Sequence, residues 1–203
     1  MFMIAVLTGD IVNSERYKAS EWMSVLKKQL LEIGEAPKDW DVFRGDEFQL
    51  KVPVVDALRV AILLKAKIKM IKGLDVRMGI GLGEETFVGS KISESNGSAY
   101  HFSGRIFETL KEQKLKLALA TEDKKLQRIL NLILKLALDF MDDWSVVSAE
   151  IITISLENPE LQQQEIADQL GVKQSAVSQR QKRARLDLVL ELLSFYEDAI
   201  KQK

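Results

Sequence analysis

Hydrophobic and polar positions divide the chain into short strand-like runs and longer helical ones. Phe2-Met3-Ile4-Ala5-Val6-Leu7 is apolar without alternation, as in a buried central strand, and stops at Thr8-Gly9-Asp10. From about Ser20, the residues Trp22, Val25, Leu26, Leu30 and Ile33 fall on one stripe. They predict a helix that Gly34 and Pro37 end. Asp41-Val42-Phe43-Arg44 and Glu47-Phe48-Gln49-Leu50-Lys51-Val52 flank Gly45-Asp46 and read as a hairpin. A helix over residues 54–71 follows, carrying Leu58, Ala61, Ile62 and Ile68 on one side and ending at Gly73. Residues 76–83 read as a strand, 84–97 as a loop, 98–113 as a helix and 115–120 as a strand.

The order β-α-β-β-α-β-α-β predicts an α+β fold. Over residues 1–121 it suggests a ferredoxin-like or palm sheet with helices on one face. Beyond Thr121 the pattern is helical throughout. Leu126, Leu130, Ile133, Ala137, Phe140 and Trp144 repeat with a heptad rhythm along a connecting helix over residues 122–144. Leu132, Leu134, Leu136 and Leu138 lie off that seam, so the helix is apolar on more than one side. It reads either as a core helix packed on both parts of the chain or as a dimer seam.

The segment 145–203 is expected to be a helix-turn-helix domain. In Gln163-Gln164-Glu165-Ile166-Ala167-Asp168-Gln169-Leu170-Gly171-Val172-Lys173-Gln174-Ser175, small Ala167 suits a helix crossing and Gly171 a permissive turn. Ile166, Leu170, Val172 and Val177 are apolar pins. Gln174, Ser175, Ser178 and Gln179 would face base edges, and Lys173 and Lys182 would face phosphates. Between Lys173 and Arg185 there are five basic residues (Lys173, Arg180, Lys182, Arg183, Arg185) and no acidic one. The same three helices could instead contact a protein. Binding DNA through such a motif calls for a homodimer.

Composition narrows the chemistry. The 203 residues carry a net charge of −1, no cysteine and one histidine. That excludes disulfides, thiolate metal sites, cysteine catalysis and multi-histidine metal sites, leaving oxygen ligands and hence Mg²⁺, Mn²⁺ or Ca²⁺. No export signal or membrane span is read in the sequence, so a cytoplasmic protein is expected.

Two carboxylates then stand out. Asp10 ends the first strand, and Asp46 sits in the hairpin turn beside Glu47. In a palm sheet these elements are neighbours, so Asp10 and Asp46 could share Mg²⁺ or Mn²⁺ with nucleotide phosphates. The backbone N–H groups of Ile11, Val12, Asn13 and Ser14 could contact the phosphates. The plainer reading of Asp46 is turn chemistry. Gly79-x-Gly81-x-Gly83 is read as close backbone approach and not as a dinucleotide fingerprint. Lys67, Lys69 and Lys72 are read as a solvated helix face.

Thr8-Gly9-Asp10-Ile11-Val12 resembles the metal-binding first strand of class III nucleotide cyclases. Phe43-Arg44-Gly45-Asp46-Glu47-Phe48 resembles their second metal hairpin and the GGDEF hairpin of diguanylate cyclases. Val76-Arg77-Met78-Gly79-Ile80-Gly81 resembles the strand that follows. Gly97-Ser98-Ala99-Tyr100-His101-Phe102-Ser103-Gly104-Arg105 has the spacing of the cyclases' Gly-x-x-x-Asn-x-x-x-Arg helix start. The chain as a whole resembles the bacterial SatD family.

The cyclase resemblance implies that Asp10 and Asp46 hold the metal and that Arg105 is a transition-state arginine. It places His101 where the cyclases carry a ribose-orienting asparagine, and Val42 where adenylyl cyclases carry a base-reading lysine. In those cyclases such a site is completed across a dimer. The function expected from the whole is a DNA-binding regulator whose palm domain binds a nucleotide with a divalent metal. An active cyclase releasing pyrophosphate, or a regulator with a palm that serves only as a dimer scaffold, are the alternatives.

Overall fold

The computed structural model describes residues 2–201. Met1, Gln202 and Lys203, at the ends of the two expected domains, lie outside the described residues. Five strands form one mixed sheet: β1 (Phe2–Val12), β2 (Trp40–Phe43), β3 (Glu47–Pro53), β4 (Asp75–Glu85) and β5 (Leu117–Thr121), in the order β2-β3-β1-β4-β5. β1 pairs antiparallel with both β3 and β4, and β5 is parallel to β4. The helices are α1 (Ala19–Leu31), α2 (Ala57–Lys69), α3 (Ser98–Leu110), α4 (Lys124–Met141), α5 (Val146–Glu157), α6 (Gln163–Leu170), α7 (Gln174–Ala184) and α8 (Leu186–Lys201).

β1 is longer than its apolar run. The apolar run stops at Leu7 and the sequence reading ends the strand at Asp10, but β3 pairs with it up to Asp10 and β4 up to Val12, because Ile11 still faces the core. Asp10 therefore lies inside a central strand, opposite Glu47 on β3 and Arg77 on β4.

Alternation along the strands separates two faces. Leu7, Ile11, Phe48, Leu50, Met78 and Ile80 belong to a core that continues through α1 and α2 into α4–α8. Val6 belongs to a smaller cluster with Ala99 and Tyr100 of α3. α3 thus lies on the face opposite α1 and α2, which corrects the expectation of helices on one face only. The β4 glycines are the reason. A Cβ at Gly81 would sit 2.1 Å from the Ala99 carbonyl oxygen, and one at Gly79 2.7 Å from that of Ser103. The reading of these glycines as close approach holds.

The helical tail is packed on the back of α2. The Tyr196 hydroxyl donates to the Val54 carbonyl at 2.6 Å, and Arg59 donates to the Leu156 carbonyl. Lys65, fully buried, bridges Asp75 at 2.8 Å and Asp142 at 2.6 Å. Lys116 spans the same two aspartates at 3.0 and 3.1 Å. Lys67 pairs with Glu32 and Glu157, and Lys69 with Asp75. Lys67 and Lys69 are therefore mostly buried links to α1, the sheet and the tail, and the expectation of a solvated lysine face fails for both. Periodicity cannot see that a second layer of helices covers this side of α2.

Of the heptad positions on α4, Leu130 and Ala137 are buried and Leu126, Ile133 and Phe140 partly so, all turned towards the core. Trp144 lies beyond the helix end and donates its indole N–H to the Ala184 carbonyl at 2.9 Å. This bears out the core-helix reading of the seam. No helix among the described residues is long and apolar enough to cross a membrane.

Candidate functional site

Two features could carry function: the acidic pair on the sheet and the surface of α7. The hairpin between β2 and β3 turns at Arg44 and Gly45, with φ of 53° and 90°. Consecutive residues at positive φ make the tight turn that matches strand twist, and Gly45 takes its place in it without strain. This turn brings Asp46 beside the loop that follows β1. There the Ser14 hydroxyl donates to the Asp46 carboxylate. Asp10 and Asp46 are close enough to repel one another.

Asp10 is half-buried, and burial pushes its carboxyl above the usual 3.8. Arg77 opposes that rise by hydrogen bond and charge, Asp46 adds to it, and Lys111 just beyond α3 opposes it. Arg77 donates to Asp10 Oδ2 across the β1–β4 pair, and its guanidinium carbon lies 5.7 Å from the centre of the Phe107 ring. Asp10 Oδ1 and Arg77 Nε are both buried without a hydrogen-bond partner. A buried carboxylate oxygen left unpaired is costly, so it is a candidate ligand atom.

Deeper on the same face a polar relay crosses the sheet. Gln49 donates to the Thr8 hydroxyl at 3.1 Å, Thr8 and Ser103 share a bond of 3.0 Å, and Ser103 donates to the Tyr100 carbonyl at 3.0 Å. Tyr100 in turn donates to Glu85 at 2.6 Å. Burial, together with the Glu85 carboxylate, pushes the Tyr100 hydroxyl strongly up in pKa, which keeps it protonated.

The sequence-predicted residues are distributed as follows. Asp10, Asp46 and Ser14 come together. Ile11 and Val12 are not in the loop; they remain in the β1 ladder opposite Val76 and Asp75. Asn13 forms the turn itself, at φ 69°, and its amide donates to the Gly73 carbonyl at 3.0 Å. His101 and Arg105 are exposed on α3, on the side away from Ser103 and Phe107, and do not converge on the acidic pair within the chain. Arg77, Phe107 and Lys111 were missed. The signal for Arg77 was present, since a charged residue in an apolar strand demands a partner. Only the register reveals that partner.

A divalent cation fits the donor set, because both carboxylates offer hard oxygen atoms and one of those atoms is buried and unpartnered. Among the described residues no three carboxylate or imidazole groups gather into a metal site. Water and ligand oxygens would complete the shell, as is usual for Mg²⁺.

The second feature lies on the tail. α6 ends at Gly171, whose φ of 64° is left-handed, and Val172 N–H bonds back to the Ala167 carbonyl at 3.0 Å. Ile166, Ala167 and Val177 are buried, and Leu170 and Val172 partly so. Lys173, Gln174, Ser175, Ser178, Gln179 and Lys182 are all exposed. The Gln174 amide donates to the side chain of Gln163, which donates to Gln181 at 2.6 Å. Arg180 is turned to the fold, pairing with Glu150 at 3.2 Å. That leaves Lys173, Lys182, Arg183 and Arg185 as the free basic face.

Fold and site define an α+β protein with an acidic pair on a mixed sheet and an exposed basic helix on a packed helical tail. Residues 3–194 match the model of the SatD family, and the chain belongs to that family. No curated protein matches the chain.

Proposed function

We propose that the chain is a DNA-binding transcriptional regulator whose sheet binds a nucleotide together with Mg²⁺ or Mn²⁺. The observation that carries this reading is the buried, unpartnered Oδ1 of Asp10 beside Asp46. The strand order β2-β3-β1-β4, antiparallel at each step, supports the ferredoxin-like palm assignment. The exposed α7 and left-handed Gly171 support the helix-turn-helix assignment.

In this reading Asp10 and Asp46 hold the cation, which supplies positive charge to the ligand's phosphates. The Ser14 hydroxyl holds the Asp46 carboxylate in place. Arg77 and Lys111 temper the repulsion between the two carboxylates when the site is empty of ligand. A physical route links the site to the tail. Val12 pairs with Asp75, which Lys65 and Lys116 join to Asp142 at the end of α4. Two residues on, Trp144 holds the last residue of α7. Reordering the end of β1 would therefore tilt α7 and change how two copies span DNA half-sites.

The test is selection of duplexes from a random pool by the full-length chain, followed by affinity measurements with and without a nucleoside triphosphate and Mg²⁺. Enrichment of a two-fold-related sequence whose affinity changes with the nucleotide is expected. No enrichment and no salt-dependent binding would remove the DNA-binding half of the proposal. One observation favours the cyclase alternative: Arg105 is exposed and makes no ion pair among the described residues, so it is available to a neighbouring copy. A cyclic product by mass spectrometry, lost in Asp46→Ala, would establish that reading instead.

A further inference from the structure

The helical tail leaves an apolar groove of about 390 Å³ open between α4 and α8, lined by Leu136 and Phe140 on one side and Leu188, Leu192 and Phe195 on the other. Leu132 and Leu136 are 61% and 67% exposed, and Ile129, Leu188 and Phe195 about 40% each. Ile129, Leu132 and Leu136 follow one another at helical spacing, and Leu188 and Phe195 are two turns apart, so the exposed side chains form one continuous stripe. Monomeric surfaces rarely leave such a stripe in water.

The rims of the groove differ in charge. At about 100° per residue, Arg128, Lys135 and, one turn further along, Asp139 flank the stripe on the α4 side. Asp187, Glu191 and Asp198 flank it on the α8 side. All six are exposed, and none makes an ion pair within the described residues. One rim is mainly basic and the other wholly acidic.

We propose that this groove is the interface between two copies of the chain, packed about a two-fold axis with α4 of each copy against α8 of the other. Only a two-fold arrangement meets both rims at once, because it sets Arg128 and Lys135 of each copy against the acidic α8 rim of its partner, twice. Buried leucine and phenylalanine fill the centre, and charge surrounds them. The surface overlaps the heptad seam at Ile133, Ala137 and Phe140, whose outer edges line the groove, and extends over the neighbouring flank at Leu136. The inference rests on the groove alone and uses neither the nucleotide nor the DNA, so its failure is separate from theirs.

Sedimentation velocity of the full-length chain, without DNA or nucleotide, tests it. The wild-type chain sediments as a dimer at micromolar concentration. Leu132→Glu with Leu136→Glu sediments as a monomer with an unchanged circular dichroism spectrum. Should those leucine variants misfold, charge reversal decides the matter. Arg128→Glu with Lys135→Glu, and separately Glu191→Lys with Asp198→Lys, each weaken the dimer by about tenfold or more. Mixing the two reversed chains makes both sets of rim contacts complementary, one in the native polarity and one in the swapped polarity, and so forms a heterodimer tighter than either homodimer. A monomeric wild-type chain overturns the proposal and assigns the groove to a different partner. A dimer indifferent to both sets of changes, or reversed chains that fail to form the heterodimer, also overturns it.

Discussion

Arg77 on β4 lies directly opposite Asp10 on β1 in the strand register and donates to its carboxylate. The arginine holds one oxygen, Oδ2, while Oδ1 stays buried and unbonded. The fold thus keeps its own cation beside the place where an external one would bind. Replacing Arg77 with methionine is expected to tighten Mn²⁺ binding, measured by calorimetry in the presence of a nucleoside triphosphate. The gain should be about fivefold, in line with the roughly 1 kcal/mol of a partly exposed ion pair. Weaker binding would instead make Arg77 a ligand-holding residue.

The pH dependence of metal-assisted nucleotide binding should show Asp10. Its carboxyl lies above the usual 3.8, chiefly through burial. The cation needs the ionised form, so affinity should begin to fall with acid while ordinary aspartates are still ionised. Asp10 also makes the opposite contribution to stability: with the folded pKa raised, protonation favours the native state as pH falls. Metal affinity and fold stability should therefore move in opposite directions across that window, apart from the other carboxylates. Affinity flat down to pH 4 would contradict the assignment.

Asp75 has the reverse sign. Burial alone would raise its pKa, but Lys65, then Lys69 and Lys116, overcome burial and hold the carboxyl below 3.8. Its stability contribution is complete above that value and is lost as pH falls through the lowered native pKa. Asp75→Asn should cost about 3 kcal/mol at neutral pH, since it strips the fully buried Lys65 of one of its two partners. It should also flatten the acid side of the stability curve. Urea melts from pH 7 to pH 3 give both numbers.

Two residues on α7 separate binding from folding. Lys182 is exposed, and Lys182→Ala should leave stability unchanged while lowering the salt slope of DNA affinity by about 1. Arg180 pairs with Glu150 on α5, so Arg180→Ala should destabilise the tail by up to about 1 kcal/mol. Filter binding across a salt series, with a urea melt of each variant, checks the pair.

Much of this fold is legible in the hydrophobic pattern. The strands and helices fall in the expected order, and the Gly171 turn sits where its residue type requires left-handed backbone. Gly79, Gly81 and Gly83 signal close approach, though not from which side. α3 on the second face follows only from the alternation that sends Met78 and Ile80 the other way. Gly81→Ala should therefore cost about 3 kcal/mol or more, because the added Cβ meets backbone that cannot yield. The Asp10–Arg77 pair was not legible, because it depends on strand register, a non-local quantity. The lysines of α2 were misread for a related reason. Lys67 finds Glu32 and Glu157, and Lys69 the Asp142 carbonyl, in distant segments that no local window contains; Asp75 is near Lys69 in sequence, but only the turn into β4 brings it back to the helix.

The most direct measurement is the thermal stability of the full-length chain with each nucleoside triphosphate, with and without Mg²⁺, in wild type and Asp46→Asn. A ligand that binds only the folded chain must stabilise it. The account predicts that one nucleotide and Mg²⁺ together raise Tm by about 5–10 °C near 100 times the Kd, that neither does so alone, and that the rise vanishes in Asp46→Asn. An unchanged Tm with every nucleotide, or a rise that persists in the variant, would contradict it.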